Sequence, residues 1–592
     1  MRLRILALRN IPDDERLREQ WDALVQGMER PEVFYTYEWA ISVQRSYGSI
    51  LRPLLLLGYD DESLVGVAAL ALRPSGELSF LSESTADYCD LLSAPNLRGR
   101  WCDAVFRELR SLSAGSVVLA NLPADSLTAS VLREAARKYG YRSFIRPAYS
   151  CARIVFRDDE YPTALQRNKK LLRRNRLLNG KGPAAFSPNV ATEQLDEVVS
   201  TFCRAHVTRF LASGRFSNMT RPERRRFLTE LARELSPRGW LSISRLLVGD
   251  RCVAWNYGFQ FADSWFWYQP TFDTNYERFS PGLCLLGKIV ESAYDSRQIK
   301  VVDLGLGAEG YKKRIATESR ETLHATLTRS SVLCAKTVLR YRIAEAVKGR
   351  PEAERRIHAS LDRLARWRSF VRKEGLLASA SHVAKRVRGR IMGGREVHFF
   401  QWCGDRGVTF VEKLSIRELD ADLLGVAAME YHDDQATLEY LLRAAQRLRT
   451  GSNQGYALLT GIGTPVHFCW VSDFERFEMQ ELQQHLTAPQ RGAVLIFDCW
   501  SPLAVRGRGY FATAIAALAN RLWVSGEMPW IFAAAKNYAS LKGVREAGFI
   551  HRFTMRQRRF LGLKKAVEMA YCAADSLAPV VATVHGCAHS EN

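Results

Sequence analysis

The sequence predicts a multidomain α/β protein with mixed, largely antiparallel sheets flanked by helices. Its 592 residues correspond to about three to five domains of ordinary size. The chain is 47% hydrophobic and 25% charged, which is typical of globular proteins and excludes a disordered chain. Segments with strand periodicity alternate with segments whose apolar residues recur three and four positions apart. No apolar run approaches the roughly 18 residues of a membrane helix, so a soluble or peripheral protein is expected.

Residues 1–150 are predicted to form the first domain. The apolar runs at 51–58 and 64–72 flank an acidic turn and predict a β-hairpin, and a further strand is predicted at 116–120. The predicted helices of this domain are 35–47, 99–112 and 127–139.

Residues 151–330 are predicted to form a second α/β domain, which opens with a basic helix at 164–178. Helices follow at 194–213 and 222–235, and another begins at Gly282. The predicted strands are 241–248, 252–261, 264–270, 301–305 and 322–329.

Residues 331–395 are predicted to be a basic helical connector. They carry 17 Lys and Arg against five Asp and Glu, whereas the whole chain has a net charge of +21. The excess charge is therefore concentrated, and it is available for an anionic membrane surface or for nucleic acid. A third α/β domain is predicted at 396–571, with a flexible tail at 572–592.

The twelve cysteines are scattered, and no Cys-x-x-Cys pair occurs. Zinc ribbons and redox motifs need paired thiols about one turn apart, so neither is predicted and no metal is expected. Single cysteines of this kind are typical of small buried side chains in a reducing cytosol.

A glycine-rich basic loop lies in the third domain. A predicted strand at 493–500 leads into Arg506, Gly507, Arg508 and Gly509, and a predicted helix follows at 512–522. Glycines let backbone amides approach a ligand, and a helix N-terminus attracts anions. The loop therefore predicts a pyrophosphate site, with an ordinary basic turn as the alternative.

The order of elements at 490–550 resembles the acyl-CoA core of the GNAT-superfamily N-acetyltransferases. After the loop come a strand, Asn537 and a helix that ends in Gly548-Phe549. The resemblance implies an acetyl-CoA or other acyl-CoA donor, with its pyrophosphate on residues 506–509 and its pantetheine arm on Asn537. Val544 stands where many of these enzymes have a tyrosine acid. Either Tyr538 substitutes for it, or this domain binds the donor without catalysing.

Two longer motifs lie in the second domain. Tyr276 to Gly282 leads into a helix, with Ser280 as the predicted N-cap and Pro281 at the first helical position, so the amides that follow predict a second anion site. The other motif is Asp303-Leu-Gly-Leu-Gly307, followed by Glu309, Tyr311 and Lys312.

These motifs resemble the CelD/BcsL-type acetyltransferases of cellulose and exopolysaccharide biosynthesis. The likeness extends back to 34–39, to Ala86-Asp87-Tyr88-Cys89-Asp90 and to the basic helix at 169–176, so that it covers residues 30–330. It implies two GNAT-like halves, of which the second binds the acyl donor.

Acyl transfer from a thioester needs a base for the acceptor, donors for the oxyanion and a proton source for the thiolate. Asp303 is the first candidate for the base and Glu309 the second, while a turn-capping role for Asp303 stays open. Tyr276 and Tyr311 are candidate proton donors. Lys312 and Arg278 are candidate partners of donor phosphates or of an anionic acceptor, although Lys312 also fits a plain surface charge. His206 is interpreted as a buried or surface histidine.

The preferred interpretation is a bacterial cytosolic acyl-CoA-dependent N- or O-acyltransferase that acts on a sugar, glycolipid or polysaccharide precursor. One alternative is a FemAB-type transferase whose basic connector contacts aminoacyl-tRNA. Against it, the helical arm of those proteins lies within a domain, whereas here it lies between domains. The other alternative is a non-catalytic scaffold that docks on the inner membrane face through residues 331–395.

Overall fold

The computed structural model describes residues 3–157, 161–162, 169–307, 310–347, 392–404, 414–451, 453–475, 477–560 and 563–571. The chain divides into two compact units, and each is described by itself. Unit 1 comprises residues 1–209 and 217–348, and unit 2 comprises residues 210–216 and 349–592.

Unit 1 contains one sheet of 13 strands. Its strands are β1 Arg4–Leu8, β2 Arg52–Asp60, β3 Ser63–Leu72, β4 Leu78–Phe80, β5 Leu92–Ser93, β6 Ser116–Pro123, β7 Arg142–Val155, β8 Ala184–Ser187, β9 Leu241–Val248, β10 Arg251–Phe261, β11 Ser264–Phe272, β12 Val301–Asp303 and β13 Glu318–Thr328. The pairs β4/β6 and β11/β12 are parallel. The other strand pairs of this sheet are antiparallel.

The helices of this part of the chain are α1 Glu15–Gln26, α2 Tyr37–Tyr47, α3 Arg98–Ser111, α4 Leu127–Lys138, α5 Lys169–Asn179, α6 Leu195–Ala212, α7 Pro222–Leu235, α8 Pro281–Ser296, α9 Gly310–Ile315 and α10 Ser331–Val347. Side-chain caps fix several of their N-termini. Asp14 accepts a hydrogen bond from the Leu17 amide at α1, and Ser126 accepts one from Thr128 at α4. α7 begins with proline at its first position, where the missing N–H costs no hydrogen bond.

The strand order joins the predicted domains 1–150 and 151–330, called the first and second halves of unit 1, through exchanged strands. The order is β1-β2-β3-β4-β6-β13-β7-β12-β11-β10-β9-β8, with β5 paired to β3. β13, which is late in sequence, therefore lies beside β6 of the first half, while β7 of the first half lies beside β12 of the second. β7 runs through residue 150, and the exchange brings loops from both halves to one region of the sheet.

Packing of the first half depends on two glycines opposite each other. Gly58 of β2 pairs with Gly66 of β3, and the fully buried Trp101 of α3 lies over both. A Cβ added at Gly66 would come 2.4 Å from the indole ring, so the absence of side chains on these two residues makes room for the tryptophan.

Unit 2 contains a sheet of eight strands and a separate two-stranded ribbon. The strands are β14 Met392–Gln401, β15 Ser415–Glu418, β16 Gln454–Leu459, β17 Pro465–Asp473, β18 Glu478–Met479, β19 Gln484–His485, β20 Ala493–Trp500, β21 Met528–Ala534, β22 Ile550–Phe560 and β23 Leu563–Tyr571. The sheet order is β15-β16-β17-β20-β21-β14-β22-β23, and only β20/β21 among these described pairs is parallel. The helices are α11 Ala421–Glu430, α12 Gln435–Thr450, α13 Tyr510–Val524 and α14 Tyr538–Glu546.

The predicted α/β class with mixed, largely antiparallel sheets and flanking helices is confirmed. α7 and β9 have the predicted bounds. The predicted strand at 301–305 is shorter, because β12 ends at Asp303 and Gly305 adopts a positive φ. The five-part domain division stays a prediction. Residues 348–391 of the connector and the tail at 572–592 lie outside the described residues. Among the described helices, none has the length and apolarity that a membrane crossing requires.

Candidate functional site

The site in unit 1 lies where two parallel strands part. β11 and β12 are joined through α8 and pair from Ser264/Val301 to Phe266/Asp303. β12 ends there, while β11 continues to Phe272. Beyond Phe266, the β12 side of β11 therefore has no strand partner among the described residues. Such an open edge can pair with an extended ligand that carries amides.

Asp303 lies at this point, and both of its carboxylate oxygens accept hydrogen bonds. Its Oδ2 accepts a hydrogen bond from the Tyr88 hydroxyl at 2.9 Å, and its Oδ1 accepts one from the Gly305 amide at 2.8 Å. Arg153, its cross-strand neighbour on β7, lies 3.5 Å from Oδ2. Burial raises the pKa of Asp303, although all three of these partners lower it. The carboxylate is thus held as a fixed buried group.

Asp87 is the second carboxylate at this point, and it comes from the loop after β4. A Cβ added at Gly305 would lie 2.4 Å from Asp87 Oδ2, so only glycine allows the carboxylate to approach this turn, and its φ of +69° also favours glycine. Burial, and then the nearby charge of Asp303, raise the pKa of Asp87 to about 7. A carboxylate with this pKa exchanges protons readily near neutral pH.

Lys312 and Tyr311 on α9 complete this side of the site. Lys312 is buried, and its Nζ donates a hydrogen bond to the Leu306 carbonyl at 2.9 Å. Its positive charge and the Leu306 amide both lower the pKa of Asp87. The Tyr311 hydroxyl accepts a hydrogen bond from Trp267 Nε1 at 3.2 Å. Lys312 is therefore a buried cation near Asp87 and not a surface charge.

Arg224 of α7 is a second buried cation near Asp87, and its charge lowers the pKa of that carboxyl. Nη2 donates a hydrogen bond to the Tyr268 hydroxyl at 2.7 Å, and Tyr268 in turn donates to the Thr85 carbonyl, two residues before Asp87. Nε and Nη1 are buried and make no hydrogen bond of normal geometry among the described residues, although the Tyr47 hydroxyl lies close to this guanidinium. A guanidinium buried in this way is ready to bind an anion. We call Asp87, Tyr88, Arg224, Asp303 and Lys312 the carboxylate cluster.

The start of α8 lies beyond the end of β11. Pro281 occupies the first helical position as predicted, and Ser280 occupies the N-cap position. The predicted side-chain cap is wrong, because Ser280 has a left-handed conformation with φ of 56° and its hydroxyl makes no capping hydrogen bond. Arg174 of α5 donates to the Arg278 carbonyl just before this helix. The first amides of α8, with Gly282 among them, thus lie near two arginines.

The glycine loop of unit 2 lies at a second parting of parallel strands. β20 and β21 pair only from Ala493/Met528 to Ile496/Ile531, although β20 continues to Trp500. Gly507 and Gly509 have φ of +77° and +79°, with open space around their Cα atoms, and α13 begins directly after them. Arg506 to Gly509 therefore lie directly before a helix, which begins at Tyr510 and not at the predicted residue 512. Their role in binding a pyrophosphate stays a prediction.

The side chains of this loop differ in their contacts. Arg506 Nε donates to the Ser501 carbonyl at 3.0 Å, and its guanidinium lies 5.0 Å from the Trp500 ring centre. Arg508 is exposed. Asn537 caps α14, and its Oδ1 accepts from the Ser540 amide at 3.2 Å.

Two positions bear on whether unit 2 could catalyse. Val544 is buried in the core of unit 2, and Tyr538 is 78% exposed. Neither side chain forms part of a polar cluster like the one in unit 1. The catalytic role of this unit stays an open prediction.

The other predicted site residues are more scattered. Glu309 lies outside the described residues. Tyr276 is half-buried before α8, with the Arg251 guanidinium 5.7 Å from its ring centre. His206 is buried, its Nδ1 is 2.8 Å from Ser217 Oγ, and burial lowers its pKa to about 3. It is a buried histidine, as interpreted from the sequence.

Residues 166–313 match the family model described as "Acetyltransferase (GNAT) domain". No curated protein matches the chain. Among solved structures, the chain is similar to FemX, with 8% identity over 52% of this chain and 95% of that chain and a TM-score of 0.38. It is also similar to L-PGS from Bacillus licheniformis, with 10% identity over 56% of this chain and 96% of that one and a TM-score of 0.37.

A third similar structure is a tandem GNAT protein from the clavulanic acid biosynthesis pathway, with 12% identity over 55% of this chain and 98% of that chain and a TM-score of 0.31. The family match runs from α5 into α9 and includes Arg224, Asp303 and Lys312. The loop at 506–509 lies outside it. Residues 166–313, which lie mostly in unit 1, are thus the part of the chain that matches a GNAT acetyltransferase domain.

Proposed function

We propose that this chain is an acyl-CoA-dependent acyltransferase whose reaction centre is the carboxylate cluster, with Asp87 as the general base. The observation that carries this proposal is a partly buried carboxylate with a pKa of about 7. It lies beside Gly305, where β11 and β12 part. Asp87 comes from a loop outside the stretch 166–313 that matches the GNAT domain, whereas Gly305 lies within that stretch. This assignment differs from the prediction from sequence, which favoured Asp303 and then Glu309.

The reaction follows from these groups. Asp87 takes a proton from the acceptor amine or hydroxyl as the acceptor nitrogen or oxygen attacks the thioester carbonyl. The tetrahedral oxyanion then collapses, the carbon–sulfur bond breaks, and the CoA thiolate takes up a proton, for which Tyr311 is the candidate source. Asp303 keeps its three partners and acts as a positioning residue, because its negative charge raises the pKa of Asp87.

The donor has two candidate sites. In unit 1, the open edge of β11 would pair with the amides of the pantetheine arm, and the start of α8 with Arg278 would hold its phosphates. Ser280, Gly282 and Lys312 are the residues carried over from the sequence for this site. In unit 2, the loop at 506–509 and Asn537 offer the same arrangement.

The acceptor is proposed to carry an anionic group. Arg224 has two buried nitrogen atoms that make no hydrogen bond of normal geometry among the described residues. The nearby Asp87 has a pKa of about 7 and is therefore only partly ionised near neutral pH, and a buried cation without a full counter-charge is costly. A phosphate or carboxylate on the acceptor would supply that charge. This supports a phosphorylated sugar, glycolipid or polysaccharide precursor as the acceptor class.

The test of this function is release of CoA thiol from acetyl-CoA in the presence of nucleotide sugars, sugar phosphates or their unphosphorylated counterparts. We expect thiol release that depends on a phosphorylated acceptor. Transfer from aminoacyl-tRNA without acyl-CoA consumption would establish the FemAB-type alternative instead.

The loop of unit 2 gives a separate prediction about stoichiometry. Calorimetric titration of the intact chain with acetyl-CoA should show two molecules bound, and Gly509→Trp should reduce this to one. Gly509 has φ of +79° at the start of α13, where a tryptophan both strains the backbone and fills the space for a pyrophosphate.

Gly526→Trp is the matched control for that titration. Gly526 lies just beyond the other end of α13, with φ of +85° and open space around it, so it imposes similar strain away from the loop. An unchanged stoichiometry in Gly509→Trp would show that unit 2 is not a donor site, and would leave the reaction centre in unit 1 unaffected.

A second role, docking on an anionic membrane surface, is favoured by the exposed face of α10. Val332, Leu339 and Ile343 are 77%, 59% and 53% exposed, and their spacing places them on one face of the helix. Tyr341 contacts Phe144 and Arg146 of β7 instead. Lys336 and Arg340 add positive charge, so the face matches an anionic membrane surface.

The double variant Leu339→Glu, Ile343→Glu is therefore expected to weaken binding to phosphatidylglycerol vesicles by at least about tenfold, since burial of a large aliphatic side chain contributes about 1.5–3 kcal/mol. Sedimentation with vesicles measures it, and thiol release should be unchanged. Ile462→Glu, at a residue that is 91% exposed in unit 2, is the control. Equal vesicle binding by the double variant and by Ile462→Glu would contradict this role.

A further inference from the structure

Two strands of unit 2 bring together three side chains that are far apart in sequence. His467 and Cys469 are two positions apart on β17 and so share one face of the sheet. Cys499 lies on the neighbouring strand β20, where the register shifts between Phe468/Trp500 and Trp470/Phe497. One ring nitrogen of His467 and the two sulfur atoms all lie within 4.8 Å of one another.

The histidine is held in one orientation and has one unused nitrogen. His467 is 1% exposed. Its Nδ1 lies 2.7 Å from Ser501 Oγ, while its Nε2 is buried without a hydrogen-bond partner among the described residues. A buried polar atom without a partner costs free energy, so an unpaired ring nitrogen beside two thiols indicates a missing ligand.

The geometry points to a binding site for a thiophilic metal ion, here Zn²⁺, with Cys469, Cys499 and His467 as its protein ligands. Zn²⁺ binds sulfur at about 2.3 Å and imidazole nitrogen at about 2.0–2.1 Å, which places the ligand atoms of a tetrahedral site about 3.5–3.8 Å apart. The three atoms lie within 4.8 Å of one another, so they would move closer by at most about 1.3 Å to reach that spacing. A water molecule or another small ligand would complete the coordination.

Ser501 has the role of the group that orients a metal-bound histidine. Hydrogen bonding at the far ring nitrogen fixes the ring and the tautomer, and loss of such a partner costs about 10–100-fold in metal affinity. The Ser501 carbonyl also accepts from Arg506 Nε at 3.0 Å, and the His467 ring lies 5.5 Å from the Phe511 ring in the first turn of α13. A bound ion would therefore stabilise the base of the loop at 506–509.

This inference goes beyond the proposed acyl transfer, because neither donor nor acceptor takes part in it. Two thiol protons are released when the ion binds, and no oxidant or reductant is needed. The expectation from sequence that no metal is present rested on the lack of a Cys-x-x-Cys pair. Here the ligands come from two neighbouring strands instead.

The test uses the intact chain without a polyhistidine tag, purified under reducing conditions and dialysed against Zn²⁺. Elemental analysis should give one zinc per chain, and Co²⁺ substitution should give the thiolate-to-cobalt charge-transfer band and the visible bands of a tetrahedral site. Ser501→Ala should lower zinc affinity by about 10–100-fold. Cys499→Ser should abolish stoichiometric binding and the charge-transfer band.

Cys403→Ser is the matched control, since Cys403 is another half-buried cysteine of unit 2 and should keep the zinc. Circular dichroism shows whether each variant is folded, and Ser501→Ala keeps the test valid if Cys499→Ser fails to fold. Absence of stoichiometric zinc in the folded wild-type chain would overturn the proposal. Zinc affinity that is the same in Ser501→Ala and Cys499→Ser as in the control would overturn it as well.

Discussion

Replacement of Asp87 by asparagine is expected to lower the turnover number by about 10²–10⁴-fold, the usual contribution of a general base. Asparagine has nearly the same shape but cannot accept the proton of the acceptor. Thiol release from acetyl-CoA under saturating acceptor measures the loss. Acetyl-CoA binding, followed by calorimetry, should change little, because the donor phosphates are proposed to lie at the start of α8 and not at Asp87.

The pH profile provides a sharper test of the same assignment. A general base acts in its deprotonated form, so kcat/KM of the wild type should fall as pH drops below about 7, the pKa to which burial and Asp303 raise Asp87. Asp303→Asn removes the neighbouring negative charge. The pKa of Asp87 should then fall, and this limb of the profile should move to lower pH.

Asp263→Asn is the control for that shift, since Asp263 is an exposed residue in the turn between β10 and β11 and should leave the profile unchanged. Activity in Asp87→Asn close to that of the wild type would contradict the assignment of the base. If the acidic limb of the pH profile stays in place in a folded Asp303→Asn variant, Asp303 does not raise the pKa of Asp87.

Local elements could be predicted from the sequence because they depend on neighbouring residues. The helix at 222–235 and the strand at 241–248 follow from apolar periodicity, and both have their predicted bounds. The exchange of β7 and β13 between the two halves could not be predicted in this way. Which strand pairs with which depends on contacts more than 150 residues apart, as between Arg153 and Glu318, and periodicity carries no information about them.

The site could be predicted in part, because some of its residues are neighbours in sequence. Asp303 and Lys312 belong to one sequence motif, and the structure places both of them near Asp87. Asp87 was visible only as part of a resemblance, because its proximity to Asp303 arises from a loop of the other half. Arg224 follows Glu223 in a basic helix and has the sequence signature of a solvent-exposed residue, yet it is buried against Tyr268.

Arg320→Leu is expected to have the largest effect on stability, lowering the free energy of unfolding of unit 1 by about 3–5 kcal/mol, the usual cost of removing one partner of a buried ion pair. Arg320 on β13 is buried, with Nη1 2.5 Å from Glu32 Oε1 and Nε 2.9 Å from Asp125 Oδ1. Its guanidinium also lies 4.6 Å from the ring centre of Tyr88, which holds Asp303. Leucine leaves the Glu32 carboxylate buried without its counter-charge. Urea denaturation followed by a probe within unit 1 measures the change.

The pH dependence separates this charge effect from a simple loss of packing. Burial raises the pKa of Glu32 from 4.5 to about 7 even with Arg320 present, so the folded state keeps a proton that the unfolded state has lost. Between these two values, the contribution of Glu32 to stability falls as pH rises. Without Arg320, which lowers this pKa, the fall should extend to higher pH. The deficit of Arg320→Leu should therefore be larger at about pH 8 than at about pH 5.5, and the double variant Arg320→Leu, Glu32→Gln should lose this pH dependence. A deficit that is the same at both pH values would mean that the arginine stabilises unit 1 through packing and not through its charge.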